Sequence, residues 1–174
     1  IPFRKVDNYA SVPEISSPII KDEVLNRIKD MSNNHLDFIL INFANPDMLG
    51  HTGNFKATVR GNEICDELCA QIAKATIEAG GLFFVTGGHG ECEKKIYRVT
   101  KEIDIAHTSN PVPLIVANTL EEITPTKGVP QLKIGTGSKS RTTGILADVA
   151  PTVLGLLGSD IPANMTGVDL RSVL

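Results

Sequence analysis

The fold is decided by Asp37-Phe38-Ile39-Leu40-Ile41-Asn42-Phe43 and the segment that follows it, Ala44-Asn45-Pro46-Asp47-Met48-Leu49-Gly50-His51-Thr52-Gly53. A short apolar run of this kind predicts a strand buried on both faces. Two similar runs follow: Leu82-Phe83-Phe84-Val85-Thr86, then Pro113-Leu114-Ile115-Val116-Ala117. Between and around these runs the apolar spacing is helical. Val24, Leu25 and Ile28 predict a helix over 21–31. Val59, Ile64, Leu68, Ile72, Ala75 and Ile77 predict a long helix over 54–79, stopped by Gly80-Gly81. Leu146 to Leu157 predicts a last helix, with Pro151 in its first turn and Gly158 as its stop. Residues 91–106 are charged and mixed and predict a loop or an edge excursion. Residues 118–140 are rich in Gly, Thr and Lys and predict a connection.

Strands alternating with helices predict an α/β class: a mostly parallel sheet with helices on both faces. Residues 1–36 divide off as a lead-in segment and first helix, and 37–174 as the α/β part. In such sheets ligands gather at the carboxyl ends of the strands, so chemistry is expected just after each run.

Bulk properties narrow the function classes. The 174 residues suffice for a domain with a real core. A net charge of −3 gives no sign of a nucleic-acid binder steered by positive charge. No apolar run approaches the roughly 20 residues that span a bilayer. The start, Ile1-Pro2-Phe3-Arg4-Lys5, does not suit a signal peptide, and without an initiator Met it suggests a fragment or processed chain. Cys65, Cys69 and Cys92 are too few and odd in number for a disulfide framework and fit a reducing, cytoplasmic setting. Cys65 and Cys69 read as plain helix residues.

The four histidines separate by position. His35 precedes the first run, the wrong end for a site, and reads as a surface residue. Asp47 and His51 lie just after the first run, four residues apart, so both can meet one ion from a single turn. His89 lies just after the second run. His107 lies in Ala106-His107-Thr108-Ser109-Asn110-Pro111, before the third. Asp47, His51 and His107 form a His₂–carboxylate set suited to Mn²⁺, Zn²⁺, Fe²⁺ or Co²⁺. Spacing alone leaves open that these are loop histidines bonded to backbone.

Asn42 to Gly53 resembles the N-F-A-N-P-D-M-V-G-H-T-G signature of cofactor-independent phosphoglycerate mutases, differing at Leu49. Val85-Thr86-Gly87-Gly88-His89-Gly90 resembles the family's T-A-D-H-G-N. Residues 106–113 resemble A-H-T-x-N-P-V-P, and Leu146 to Thr152 resembles L-A-D-I-A-P-T. The resemblance implies an alkaline-phosphatase-like fold and interconversion of 3- and 2-phosphoglycerate through a phosphoserine. It also implies two divalent ions, often Mn²⁺. Asp47, His51 and His107 would hold one ion and His89 would be a ligand of the second.

Two departures stand out. The family's aspartate before the second-ion histidine is Gly88, which leaves one ion expected here, with neither Glu91 nor Glu93 expected to substitute. No serine of the chain sits where the family has its nucleophile, so the chain alone is expected to be inactive. The alternatives are a non-catalytic metal-binding relative, or a related phosphate-ester hydrolase or phosphomutase. Lys94, Lys95, Arg98 and Lys101 read as a solvated basic loop, and Asp148 as a structural cap on the last helix.

Overall fold

The structure is a computed structural model that describes residues 1, 5–30, 36–97, 99–119 and 144–172. His35, Arg98, Ser138 and Ser140 lie outside these residues. The chain forms two compact units, Ile1–Thr124 and Pro125–Leu174.

In the first unit, α1 (Ser17–Lys29) carries Pro18 in its first turn, which its fixed φ suits. A short helix α2 (Asn45–Gly50) and the long α3 (Phe55–Glu78) follow. The Asn54 side chain accepts from the Ala57 amide and caps α3. Gly80, with φ of 79°, ends it, a left-handed conformation that costs glycine little. Helices α1 and α3 pack together around Val24, Ile28 and Ile72. Both long helices thus follow their sequence spacing, although α1 begins four residues before the expected 21.

The residues from 37 to 43 correct the sequence reading. They join no ladder among the described residues. Ile39, Ile41 and Phe43 pack against the α1–α3 core, while Phe38 and Leu40 are 54% and 84% exposed. Alternate side chains of an extended segment point to opposite sides, and only one side meets a helix layer.

The sheet also differs from expectation. Strands β1 (Phe83–Thr86) and β2 (Leu114–Ala117) pair antiparallel, with Phe83 opposite Ala117. A parallel pair needs a crossover, usually helical. Residues 87–113 supply none among those described. They run out and back instead, with antiparallel bridges Gly90–Thr108 and Ile96–Ile103 nested inside the ladder.

This excursion also corrects the reading of a solvated basic loop. Lys95 is buried, and its Nζ donates to Glu91 Oε1 at 2.9 Å and to the Gly50 carbonyl at 3.2 Å. Lys94 Nζ lies 2.7 Å from Oδ2 of the fully buried Asp104. That ammonium holds the Asp104 carboxyl below its usual range, helped by the Ala106 amide.

The three cysteines are free thiols. Burial pushes the Cys65 thiol up to about 12, with Cys69 and Cys92 adding to the effect, so it stays protonated at neutral pH.

In the second unit a 3-10 turn (Leu146–Asp148) leads into α4 (Val149–Leu156), and Gly158 with φ of 69° terminates it. Asp148 accepts from the Ile145 and Val168 amides, both at 2.8 Å. The cap role expected for Asp148 therefore extends to tying the final segment to the helix start.

Candidate metal centre

The centre is built on α2. Asn45 Nδ2 donates to the Pro13 carbonyl at 2.6 Å and to Ser17 Oγ at 3.0 Å, which fixes the helix start. Leu49 is fully buried against α3, where Gly61 leaves it room: a Cβ there would lie 2.2 Å from Leu49 Cδ1. Thr58 Oγ1 donates to the Leu49 carbonyl and locks the far end. With both ends held, Asp47 and His51, one turn apart, share the outward face. The excursion brings His89, Glu91 and His107 to the same place.

Three donor atoms form a triangle. His107 Nε2 is 3.0 Å from Asp47 Oδ1 and 3.1 Å from His51 Nε2, and His51 Nε2 is 3.3 Å from Asp47 Oδ1. His51 Nδ1 lies 2.9 Å from the Ile105 carbonyl. A carbonyl only accepts, so the proton is on Nδ1 and the Nε2 lone pair faces the triangle. This backbone partner sets the tautomer a metal ligand needs. His89 stacks on His107, centroids 3.7 Å apart, with Nε2 3.5 Å from Asp47 Oδ1. All four residues singled out from the sequence thus meet in one place.

Glu91 was not expected there. Its carboxylate is buried, 3% exposed, with Oε2 4.0 Å from His107 Nε2 and Oε1 3.7 Å from His51 Nδ1. One donor atom each from Asp47, His89, Glu91 and His107 falls within a 4.8 Å span. Reading residues 91–106 as a loop hid this. The available signal was alternation: His89 and Glu91 are two apart and share a face where the backbone is extended. Glu93, in contrast, turns to Thr108, Asn110 and the Glu91 amide. Burial raises the Glu93 pKa, but these hydrogen bonds outweigh it and hold the carboxyl below its usual range.

The donor set fits a divalent cation. Ligands bound at about 2.0–2.2 Å to one ion stand roughly 3–3.5 Å apart when adjacent, the spacing of the triangle. Imidazole nitrogen with carboxylate oxygen selects borderline transition ions over Ca²⁺. Without an ion, the lone pairs of Asp47 and His51 converge on a single nitrogen of His107.

Comparisons with known proteins place the chain in a family. Residues 3–161 match the Metalloenzyme superfamily. The chain is 39% identical over 170 residues to the 2,3-bisphosphoglycerate-independent phosphoglycerate mutase of Clostridium tetani, covering 98% of this chain and 30% of that protein. It is 40% identical over 167 residues to the enzyme of the same name from Syntrophotalea carbinolica, covering 96% and 29%. Among solved structures, Leishmania mexicana phosphoglycerate mutase at low cobalt concentration superposes with a TM-score of 0.74 at 25% identity, over 97% of this chain and 30% of that one. This likeness places the fold in the α/β, alkaline-phosphatase-like class, and the chain spans about 30% of the length of these relatives. On the match that runs through most of its length, the chain belongs to the Metalloenzyme superfamily.

Proposed function

We propose that this chain is the metal-binding part of a 2,3-bisphosphoglycerate-independent phosphoglycerate mutase, which as a whole interconverts 3- and 2-phosphoglycerate in the cytoplasm. The observation that carries the reading is the donor triangle of Asp47, His51 and His107, with sides of 3.0, 3.1 and 3.3 Å. These three residues hold a divalent ion, Mn²⁺ by first choice, and His89 extends the set toward a second. A bound ion supplies charge neutralisation at phosphoryl oxygens and lowers the pKa of a hydroxyl. The chain's own residues hold and orient it. Asp47 contributes the negative charge, the Ile105 carbonyl fixes the His51 ring, and stacking on His89 fixes His107.

The nucleophilic serine of this reaction type is not a residue of this chain. Loss of a covalent nucleophile removes on the order of 10⁶ in rate, so the isolated chain is expected to bind metal without turning over. Calorimetric titration of the chain with Mn²⁺ tests the binding: about one ion per chain is expected, and no heat of binding would refute it. A coupled assay of the longest gene product containing this sequence, with Mn²⁺ present, tests the activity.

One observation favours a second reading, a metal-binding relative without turnover. Gly88 stands where the resemblance places an aspartate ligand, and a Cβ built there meets nothing within 4 Å. Metal binding by the longer product with no mutase turnover would select this reading.

A further inference from the structure

Glu91 is a carboxylate that the folded chain buries and leaves half satisfied. Its Oε1 accepts from Lys95 Nζ at 2.9 Å. Its Oε2 is buried with no hydrogen-bond partner. The nearest imidazole nitrogen, His107 Nε2 at 4.0 Å, is beyond hydrogen-bond range. Burying a charged oxygen without a partner is costly, and the surroundings make the burial deliberate. Gly50 in α2 lacks the Cβ that would lie 2.1 Å from Oε1, so α2 leaves a seat for this side chain.

Backbone register aims Glu91 at the centre. The Gly90–Thr108 bridge is antiparallel, and the Thr108 amide donates to the Gly90 carbonyl at 2.7 Å. In that register the residue after Gly90 stands opposite the residue before Thr108, which pairs Glu91 with His107. Directly opposed residues place their side chains on one face.

We propose that Glu91 is a ligand of the divalent cation held between Asp47 and His107, a carboxylate added from the 87–113 excursion. The inference rests on the cation-site reading above. It adds a second negative charge to a set otherwise made of one carboxylate and imidazoles. The distances suit it: donors on opposite sides of an ion bound at about 2.1 Å stand roughly 4.2 Å apart, close to the 4.0 Å between Oε2 and His107 Nε2. Lys95 has a stated place in the arrangement. By engaging Oε1 it leaves Oε2 as the free donor.

The test is Mn²⁺ titration of the 174-residue chain beside its Glu91→Gln and Asp47→Asn variants, with Co²⁺ absorption spectra as a second readout. Glu91→Gln keeps the shape and an oxygen for Lys95. It is expected to weaken Mn²⁺ binding by more than the about 10- to 100-fold that loss of an outer-sphere partner costs and to change the visible Co²⁺ bands, which a carboxylate of purely structural role leaves unmoved. Binding within about twofold of the parent, with Asp47→Asn abolishing it, would overturn the role of Glu91 and leave the cation site standing. No binding by the parent chain would overturn both. Circular dichroism checks folding. If Glu91→Gln strands the Lys95 ammonium and unfolds, the same comparison is made on the Glu91→Gln/Lys95→Met pair against Lys95→Met, and the same outcomes decide.

Discussion

His107 Nε2 lies 3.0 Å from Asp47 Oδ1, although sixty residues of sequence separate them. The two belong to different elements: Asp47 to the short helix α2, His107 to the returning arm of the 87–113 excursion. Any ion held between them ties these elements together, so metal binding and folding are linked. A ligand that binds only the folded state stabilises it by about 2.7 kcal/mol at a hundredfold excess over its dissociation constant. Millimolar Mn²⁺ is therefore expected to raise the thermal midpoint of the chain by several degrees. Asp47→Asn, which removes the charge and keeps the size, is expected to abolish the rise. Differential scanning calorimetry with and without Mn²⁺ measures both.

Gly88 has open space around it, so an aspartate there meets no steric obstacle. Gly88→Asp is expected to leave the thermal midpoint without metal within about two degrees, the range of a surface change away from packed contacts. It is also expected to add a second, weaker Mn²⁺ per chain, seen as a new phase in the calorimetric titration. A single phase identical to the parent's would show that position 88 does not face a second ion.

Asp148 predicts a pH dependence in the second unit. Hydrogen bonds from the Ile145 and Val168 amides hold its carboxyl below the ordinary value of 3.8. A carboxyl with a lowered folded pKa contributes stability that is fully present above its unfolded value. That stability is lost as pH falls through the folded value. The amides of Ile145 and Val168 are thus expected to stay protected against hydrogen exchange at neutral pH and to lose protection below about pH 4. Asp148→Asn is expected to speed their exchange at neutral pH by about tenfold or more and to remove the pH dependence.

Gly167 is the tightest glycine among the described residues of the second unit. A Cβ there would lie 2.0 Å from the Ala147 carbonyl oxygen and 2.8 Å from the Asp148 amide nitrogen. Both are backbone atoms within the 3-10 turn, so no side chain can swing aside. Gly167→Ala is expected to cost about 1–3 kcal/mol, the range for forcing extra volume into a packed site. Hydrogen exchange of residues 144–172 would show the loss there and leave α1 and α3 unchanged.

Sequence spacing was enough for the long helices, and together with the motifs it singled out Asp47, His51, His89 and His107 as candidates. Helix α3 follows because its apolar residues recur at the helical period and Asn54 and Gly80 mark its ends, and such signals are local. His51 and His89 stood out because they fall just after apolar runs, and all three site histidines lie within motifs that carry their own positions. Strand direction and the burial of residues 37–43 depend on what packs beside them, and periodicity cannot encode that. Antiparallel pairing of β1 and β2 came from the nested bridges of residues 87–113. Glu91 passed as a loop charge because its place rests on one bridge register and on the space above Gly50. What the sequence determined by itself was a short set of candidate ligands, Asp47, His51, His89 and His107. Only the tertiary structure decided that a fifth side chain joins them, since burial and donor-to-donor distance are properties of chain segments brought together from far apart.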